Sequence, residues 1–216
     1  SIDKLAALPG AFGPESMVSA GNASGVVDGA AAVVVTTAAH AKQAGKTPMG
    51  FVRGWSYVGV APDIMGFGPA PAIRSVLDRA GMTLDQVDLF EINEAFAGQY
   101  LAVEKDLGLD RDKVNVNGGA IGLGHPLGAT GTRLIHTLLV ELGKRGKRFG
   151  VASACIGGGQ GMAVLVERAQ RQLGVVRVVL GEENSFQCAG HVSWLMDFPT
   201  LRRANLSRLF AGLSAQ

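Results

Sequence analysis

The sequence predicts a layered α/β domain, and three observations carry that expectation. Apolar and β-branched runs of strand length alternate with segments whose apolar residues recur every three or four positions. Glycines stand where the helical segments stop. Hydrophobic residues make up 47% of the 216 and charged residues 18%, enough apolar material for a sizeable core.

The elements follow in order. The chain opens irregularly, with Pro9, Gly10, Gly13 and Pro14 ahead of Asn22. The run AAAVVVTT (30–37) is small and β-branched and reads as a buried strand; residues 38–44 read as a short helix stopped by Gly45. Phe51, Val52, Trp55, Tyr57, Val58 and Val60 predict a long strand over 51–61. Ile73, Val76, Leu77 and Ala80 share one face of a helix over 69–80 that ends at Gly81. Thr83 and Gln86 have capping-box spacing and open a single turn, and 89–92 is a short strand. Phe96, Tyr100, Val103 and Leu107 predict a helix stopped by Gly108, and Leu134, Ile135, Leu138, Leu139 and Leu142 a further one ended by Gly143 and Gly146. Strands are expected over 149–155 and 162–166, on either side of Gly157-Gly158-Gly159. Periodicity fades after Glu167, and 168–216 reads as a loosely ordered tail.

Bulk properties exclude some functions. The net charge of +2 excludes a strongly basic nucleic-acid binder. No stretch approaches the ~18 apolar residues of a membrane span. Two cysteines, Cys155 and Cys188, are too few for a disulfide framework and fit a reducing compartment. The chain begins with Ser1 and looks processed or incomplete there, so a targeting segment is not visible. No Cys/His spacing suggests a metal site, and none is expected.

The glycines concentrate the chemistry: 13 of 31 fall within residues 118–161. GGAIGLGHPLGATG (118–131) places His125 in a loop that admits close backbone approach, just ahead of a helix. There a histidine serves as a base or as a donor to an oxyanion. CIGGGQG (155–161) puts a thiol at a strand end before unshielded N–H groups, including that of Gly157, which suit an oxyanion hole; the plainer alternative for Cys155 is a small buried hydrophobe. A phosphate loop is a weak reading there, since a strand rather than a helix follows. From spacing alone Asn93, in NEAFA (93–97), is best read as an N-cap. Asn22 to Gly25, with Asp28-Gly29, is open between a turn and a ligand-facing loop. His40 and His136 read as helix-surface or packing residues.

Taken together, NASGVVDGAA (22–31), GFGPAPA (66–72), NEAFA, GGAIGLGHPLGATG and CIGGGQG, in this order, resemble the thiolase family over residues 4–167. The flanking residues most resemble its mitochondrial 3-ketoacyl-CoA branch. The resemblance implies the C-terminal half of a layered fold with a five-stranded mixed sheet flanked by helices. It divides the chain into the end of a loop region (1–28), a C-terminal domain (29–167) and a tail outside the family (168–216). It implies acyl transfer between coenzyme A thioesters: thiolytic cleavage of 3-ketoacyl-CoA, as in fatty acid β-oxidation, or the reverse Claisen condensation. His125 matches the base, Asn93 holds a water beside it, Cys155 matches the second catalytic thiol, the Gly157 N–H an oxyanion donor, and Ser24 a contact to the pantetheine arm. Coenzyme A is a substrate, and no resident cofactor is implied. The family's acyl-carrying cysteine lies in the half that this chain does not match, so the chain alone is expected to be inactive. The full-length enzyme is expected to be a homo-oligomer in the mitochondrial matrix. The competing expectations are an acetoacetyl-CoA-specific relative, a non-catalytic CoA-binding or dimerisation half, and, last, a nucleotide-binding domain.

Overall fold

The computed structural model describes residues 1–169; the expectations for 170–216, Cys188 among them, lie outside the described residues. A short helix α1 (Ile2–Ala6) and an irregular stretch lead to α2 (Ala38–Gln43), which Thr37 caps by accepting from the His40 N–H. Four strands follow: β1 (Gly50–Gly59), β2 (Leu89–Ile92), β3 (Phe149–Ile156) and β4 (Gln160–Arg168), in the sheet order β1-β4-β3-β2. β2 and β3 are parallel; β4 runs antiparallel to both neighbours. The helices are α3 (Pro69–Ala80), α4 (Ala97–Leu107), α5 (Ala120–Leu123) and α6 (Thr130–Lys144).

Side-chain alternation divides the sheet into two faces. On one, Phe90, Ile92, Val151, Ala163 and Leu165 pack with Ile73, Val76 and Leu77 of α3 and Val103 and Leu107 of α4. On the other, Leu89, Ala152 and Val166 pack with Leu134, Leu138 and Leu142 of α6. The apolar spacing that predicted α3, α4 and α6 is the spacing that these cores use. Leu165, fully buried in the second strand of the sheet, anchors the first core. Leu165→Ala is expected to cost about 2–5 kcal/mol of unfolding free energy, measurable by urea denaturation.

Two expectations are corrected. The run 30–37 is not a buried strand: it joins none of the four strands that the described residues form, and Val33, Val34 and Val35 stay exposed. β-branched residues favour an extended backbone, yet a strand exists only where a neighbouring edge takes up its hydrogen bonds. Nor is Asn93 an N-cap. The next helix, α4, starts four residues later, and its first N–H, on Ala97, is taken by the Asn22 carbonyl at 2.8 Å.

On the α6 face, Trp55 and Tyr57 of β1 stand opposite Val164 and Met162 of β4. Trp55 and Tyr57 are more than half exposed, so the apolar surface of the sheet continues past the helix. Among the described residues no helix is long and apolar enough to cross a membrane.

Candidate active site

The parallel pairing of β2 and β3 sets the site. Their C-terminal ends lie side by side, and the pairing runs one step further: the Asn93 N–H donates to the Ser153 carbonyl at 2.9 Å. The chain therefore leaves the sheet at Asn93 and at Cys155–Ile156 along the same edge. Asn115 secures the free side of β2. Its amide oxygen accepts from the Ile92 N–H and its amide nitrogen donates to the Ile92 carbonyl, both at 2.9 Å, and to Glu94 at 3.2 Å. It adopts φ +47°, the one non-glycine positive φ among the described residues.

His125 is gripped at both ring nitrogens. Nδ1 lies 2.7 Å from the Thr130 hydroxyl, and Nε2 lies 3.3 Å from the Asn93 amide nitrogen. The Thr130 hydroxyl donates to the Pro126 carbonyl at 2.9 Å, so it accepts from the ring. The arrangement that satisfies every partner places the proton on Nδ1 and the lone pair on Nε2, facing the Asn93 amide. Burial and then the nearby Arg133 charge push the imidazole below its usual range, so the ring is neutral at neutral pH. A neutral ring with an oriented lone pair is a base.

The loops around it are tied together. The His125 N–H donates to the Gly25 carbonyl at 2.8 Å, and Ser24 donates to the Ala95 carbonyl from its N–H at 3.0 Å and its hydroxyl at 3.2 Å. The segments 22–25, 93–97 and 118–131, far apart in sequence, thus form one frame. Ser24 sits in it with its hydroxyl proton engaged by backbone. Asn93 is 1% exposed, and its Oδ1 has no hydrogen-bond donor among the described residues.

Cys155 lies at the same end of the sheet, two residues past Ser153. It is not hydrogen-bonded to His125; alternation along β3 puts it on the side of Val151 and Ser153 rather than that of α6. Burial holds its thiol above the usual range, so it carries a proton at neutral pH. The turn after it is confined to Gly157-Gly158-Gly159, because β4 resumes at Gln160. Gly158 and Gly159 adopt φ +87° and +95°, and a Cβ on Gly159 would run into the Val60 carbonyl. The Gly157 N–H stands at the head of this turn.

Sequence reasoning missed several positioning groups. α5 is one: the Glu94 carboxylate accepts from the Ile121 N–H in its first turn at 3.2 Å. Thr130 is another. Glu91 and Arg133 are a third set, joined through Nη1 and Oε2 at 3.1 Å, with the Glu91 side chain 2% exposed. Burial pushes the Glu91 carboxyl up to about 7, against the lowering effect of Arg133 and with Glu94 and Glu141 adding to the rise.

That shift makes a prediction. Between the usual carboxylate value and about 7 the folded protein holds a proton that the unfolded chain has released. The resulting stabilisation is full at lower pH and is lost as pH rises through that window. Glu91→Gln removes it. The stability of wild type minus that of the variant should fall from about pH 4.5 to 7 and be flat above; urea unfolding across that range measures it, and a constant difference would contradict the assignment.

Among the described residues no group of three or more His, Cys, Asp or Glu side chains could hold a metal ion.

Comparisons with known proteins agree with this geometry. The family profile "Thiolase, C-terminal domain" matches residues 46–168, and "Thiolase, N-terminal domain" matches residues 1–39. "Acetyl-CoA acetyltransferase" of Shinella zoogloeoides is 52% identical over 167 residues, covering 77% of this chain and 43% of that protein. "3-ketoacyl-CoA thiolase, mitochondrial" of Homo sapiens is 51% identical over 167 residues, covering 77% and 42%. The solved Bacillus anthracis acetyl-CoA acetyltransferase superposes with TM-score 0.76 at 52% identity, covering 78% of this chain and 43% of its own. Human mitochondrial 3-ketoacyl-CoA thiolase in complex with CoA gives 0.73 at 46%, with the same coverage. The chain thus spans less than half the length of these relatives, whose names are all those of acyltransferases. On the match over 46–168, the two-sided grip on His125 and the glycine turn after Cys155, this chain belongs to the thiolase family.

Proposed function

We propose that this chain is the C-terminal part of an acyltransferase of the thiolase type, which cleaves 3-ketoacyl-CoA with CoA to acetyl-CoA and a shortened acyl-CoA. The observation that carries the proposal is the neutral His125, held with its Nε2 lone pair oriented at the edge where Cys155 emerges. In this reading His125 takes the proton from a cysteine thiol outside the matched residues, and the thiolate attacks C3 of the substrate. As the new C–S bond forms and the C2–C3 bond breaks, its electron pair passes to C2 of the departing acetyl-CoA enolate, which Cys155 protonates. Cys155 then takes the proton of incoming CoA, whose sulfur displaces the acyl group, and the cysteine recovers its proton from His125.

The same reading assigns the supporting groups. The Gly157 N–H serves as an oxyanion donor. The buried, unpaired Oδ1 of Asn93 suits a bound water beside His125. Ser24 contacts the pantetheine arm. CoA is a substrate, and no resident cofactor takes part.

Specificity for acetoacetyl-CoA is the second reading, because relatives named acetyl-CoA acetyltransferase are as similar as the mitochondrial thiolases. A homo-oligomer of the full-length enzyme and a matrix location accompany the first reading, after the mitochondrial relative. The test is to assay the 216-residue chain, alone and with a separately expressed thiolase N-terminal half, on acetoacetyl-CoA and on a longer 3-ketoacyl-CoA. Turnover is expected only with both halves, with a higher kcat/KM on the longer substrate. Preference for acetoacetyl-CoA selects the second reading, and CoA-ester binding without turnover in the reconstituted enzyme marks a non-catalytic half.

A further inference from the structure

Beside His125, on the α6 face of the sheet, lies a polar layer that the acyl-transfer steps leave unused. Glu91 and Asn93 are two residues apart on β2 and its continuation and share one face. Thr130 and Arg133 are three apart on α6 and also share a face. The strand and the helix are therefore joined by two rungs. In one, Asn93 and Thr130 take the two nitrogens of His125; in the other, Glu91 takes Arg133. Arg133 is the next polar side chain along α6 from Thr130 on this face, and its side chain is only 18% exposed.

An ion pair this deeply placed adds little to stability, because desolvation offsets the attraction. Its fixed geometry is what it supplies. We propose that Glu91 and Arg133 are a positioning pair for His125: they clamp α6 to the end of β2 at the spacing at which Thr130 and Asn93 hold opposite sides of the ring. The clamp thereby selects the tautomer with its lone pair on Nε2. Its functional meaning rests on the acyl-transfer reading above; its geometry does not.

The charges act in the same direction. Arg133 is the charged group that disfavours the imidazolium. The other titratable groups around this frame are Glu91 on β2, Glu94 in the loop after it, His136 and Glu141 on α6, and Cys155 at the end of β3. Glu94 and Glu141 act on Glu91, which Arg133 balances.

The test reads the His125 ring directly, by 15N-histidine NMR of the chain, with the resonances assigned from their loss in His125→Ala. In wild type the Nδ1–H tautomer should dominate. In Arg133→Met the ring shifts should move toward a tautomer mixture and the titration midpoint should rise. Arg133→Lys should bring the midpoint back by restoring the charge, with the tautomer ratio between the two. Glu91→Leu, of similar volume, removes the acceptor that holds Arg133 and should likewise move the ring shifts toward a tautomer mixture; it keeps the test alive if Arg133→Met does not fold. A folded Arg133→Met or Glu91→Leu with the wild-type tautomer ratio overturns the proposal. In the reconstituted enzyme Arg133→Met should slow acyl-enzyme formation on the order of 10²-fold, as a small misplacement of a reacting group does, with KM nearly unchanged. Altered ring shifts at an unchanged rate would retain the coupling and sink the acyl-transfer role of His125 instead.

Discussion

His125→Ala is expected to abolish the acyl burst of the reconstituted enzyme, with formation of the acyl-enzyme slowed by about 10²–10⁴-fold, the usual contribution of a positioned general base. The expectation comes from the state of the ring. A histidine serves as a base when it is neutral and its lone pair is aimed, and here burial and Arg133 supply the first condition while Thr130 and Asn93 supply the second. Rapid quench on a 3-ketoacyl-CoA substrate reads the burst. Because His125 is a member of neither core cluster, thermal stability should change little. Thr130→Val tests the orientation separately. It keeps the shape but removes the acceptor for Nδ1–H, so it should slow the same step by a smaller factor while leaving CoA-ester binding in place. An unimpaired burst in His125→Ala would remove this residue from the reaction.

How much of this site the sequence discloses depends on whether the determining contact is local. Helices α3, α4 and α6 are legible because burying one face demands apolar residues every three or four positions, and Gly81 and Gly108 stop two of them in the left-handed conformation. The turn at Gly157-Gly158-Gly159 is legible because glycines of positive φ have few other uses between two strands. The run 30–37 misleads because composition reports a preference for extended backbone, whereas pairing needs an edge that composition does not name. Asn93 misleads for a related reason: an Asn ahead of a helical segment reads as a cap, but α4 starts only at Ala97, and the register of β2 on β3 carries Asn93 past the sheet edge to His125. α5 is illegible because a four-residue AIGL helix with an internal glycine has no propensity to form alone; the carboxylate of Glu94, 27 residues earlier, holds its first turn. Glu91–Arg133 is hidden because a carboxylate in a strand and a guanidinium in a helix look like surface residues until the layers are stacked.

Cys155→Ser is expected to reduce kcat of the reconstituted enzyme by about 10²–10⁴-fold while leaving the affinity for CoA esters within about twofold. The serine fills nearly the same half-buried space at the end of β3, so the turn Gly157–Gly159 and its N–H groups keep their positions. What changes is the proton. The thiol, raised by burial, is protonated at neutral pH and has one to give to a carbanion-like carbon. An unactivated hydroxyl parts with its proton far less readily, and its alkoxide is too high in energy to form as the base for the reverse transfer. Two measurements separate this role from a structural one. The first is exchange of the acetyl-CoA methyl protons with D2O, which needs proton transfer at carbon and no net turnover; it should vanish in the variant. The second is thermal unfolding, which should be nearly unchanged, because no core cluster includes Cys155. A variant that kept near-normal kcat and methyl exchange would make Cys155 a packing residue. A variant that lost both along with its folded transition would instead make the strand end, not the proton, the point of failure, and Cys155→Ala in the same assays would then show whether any activity follows the thiol.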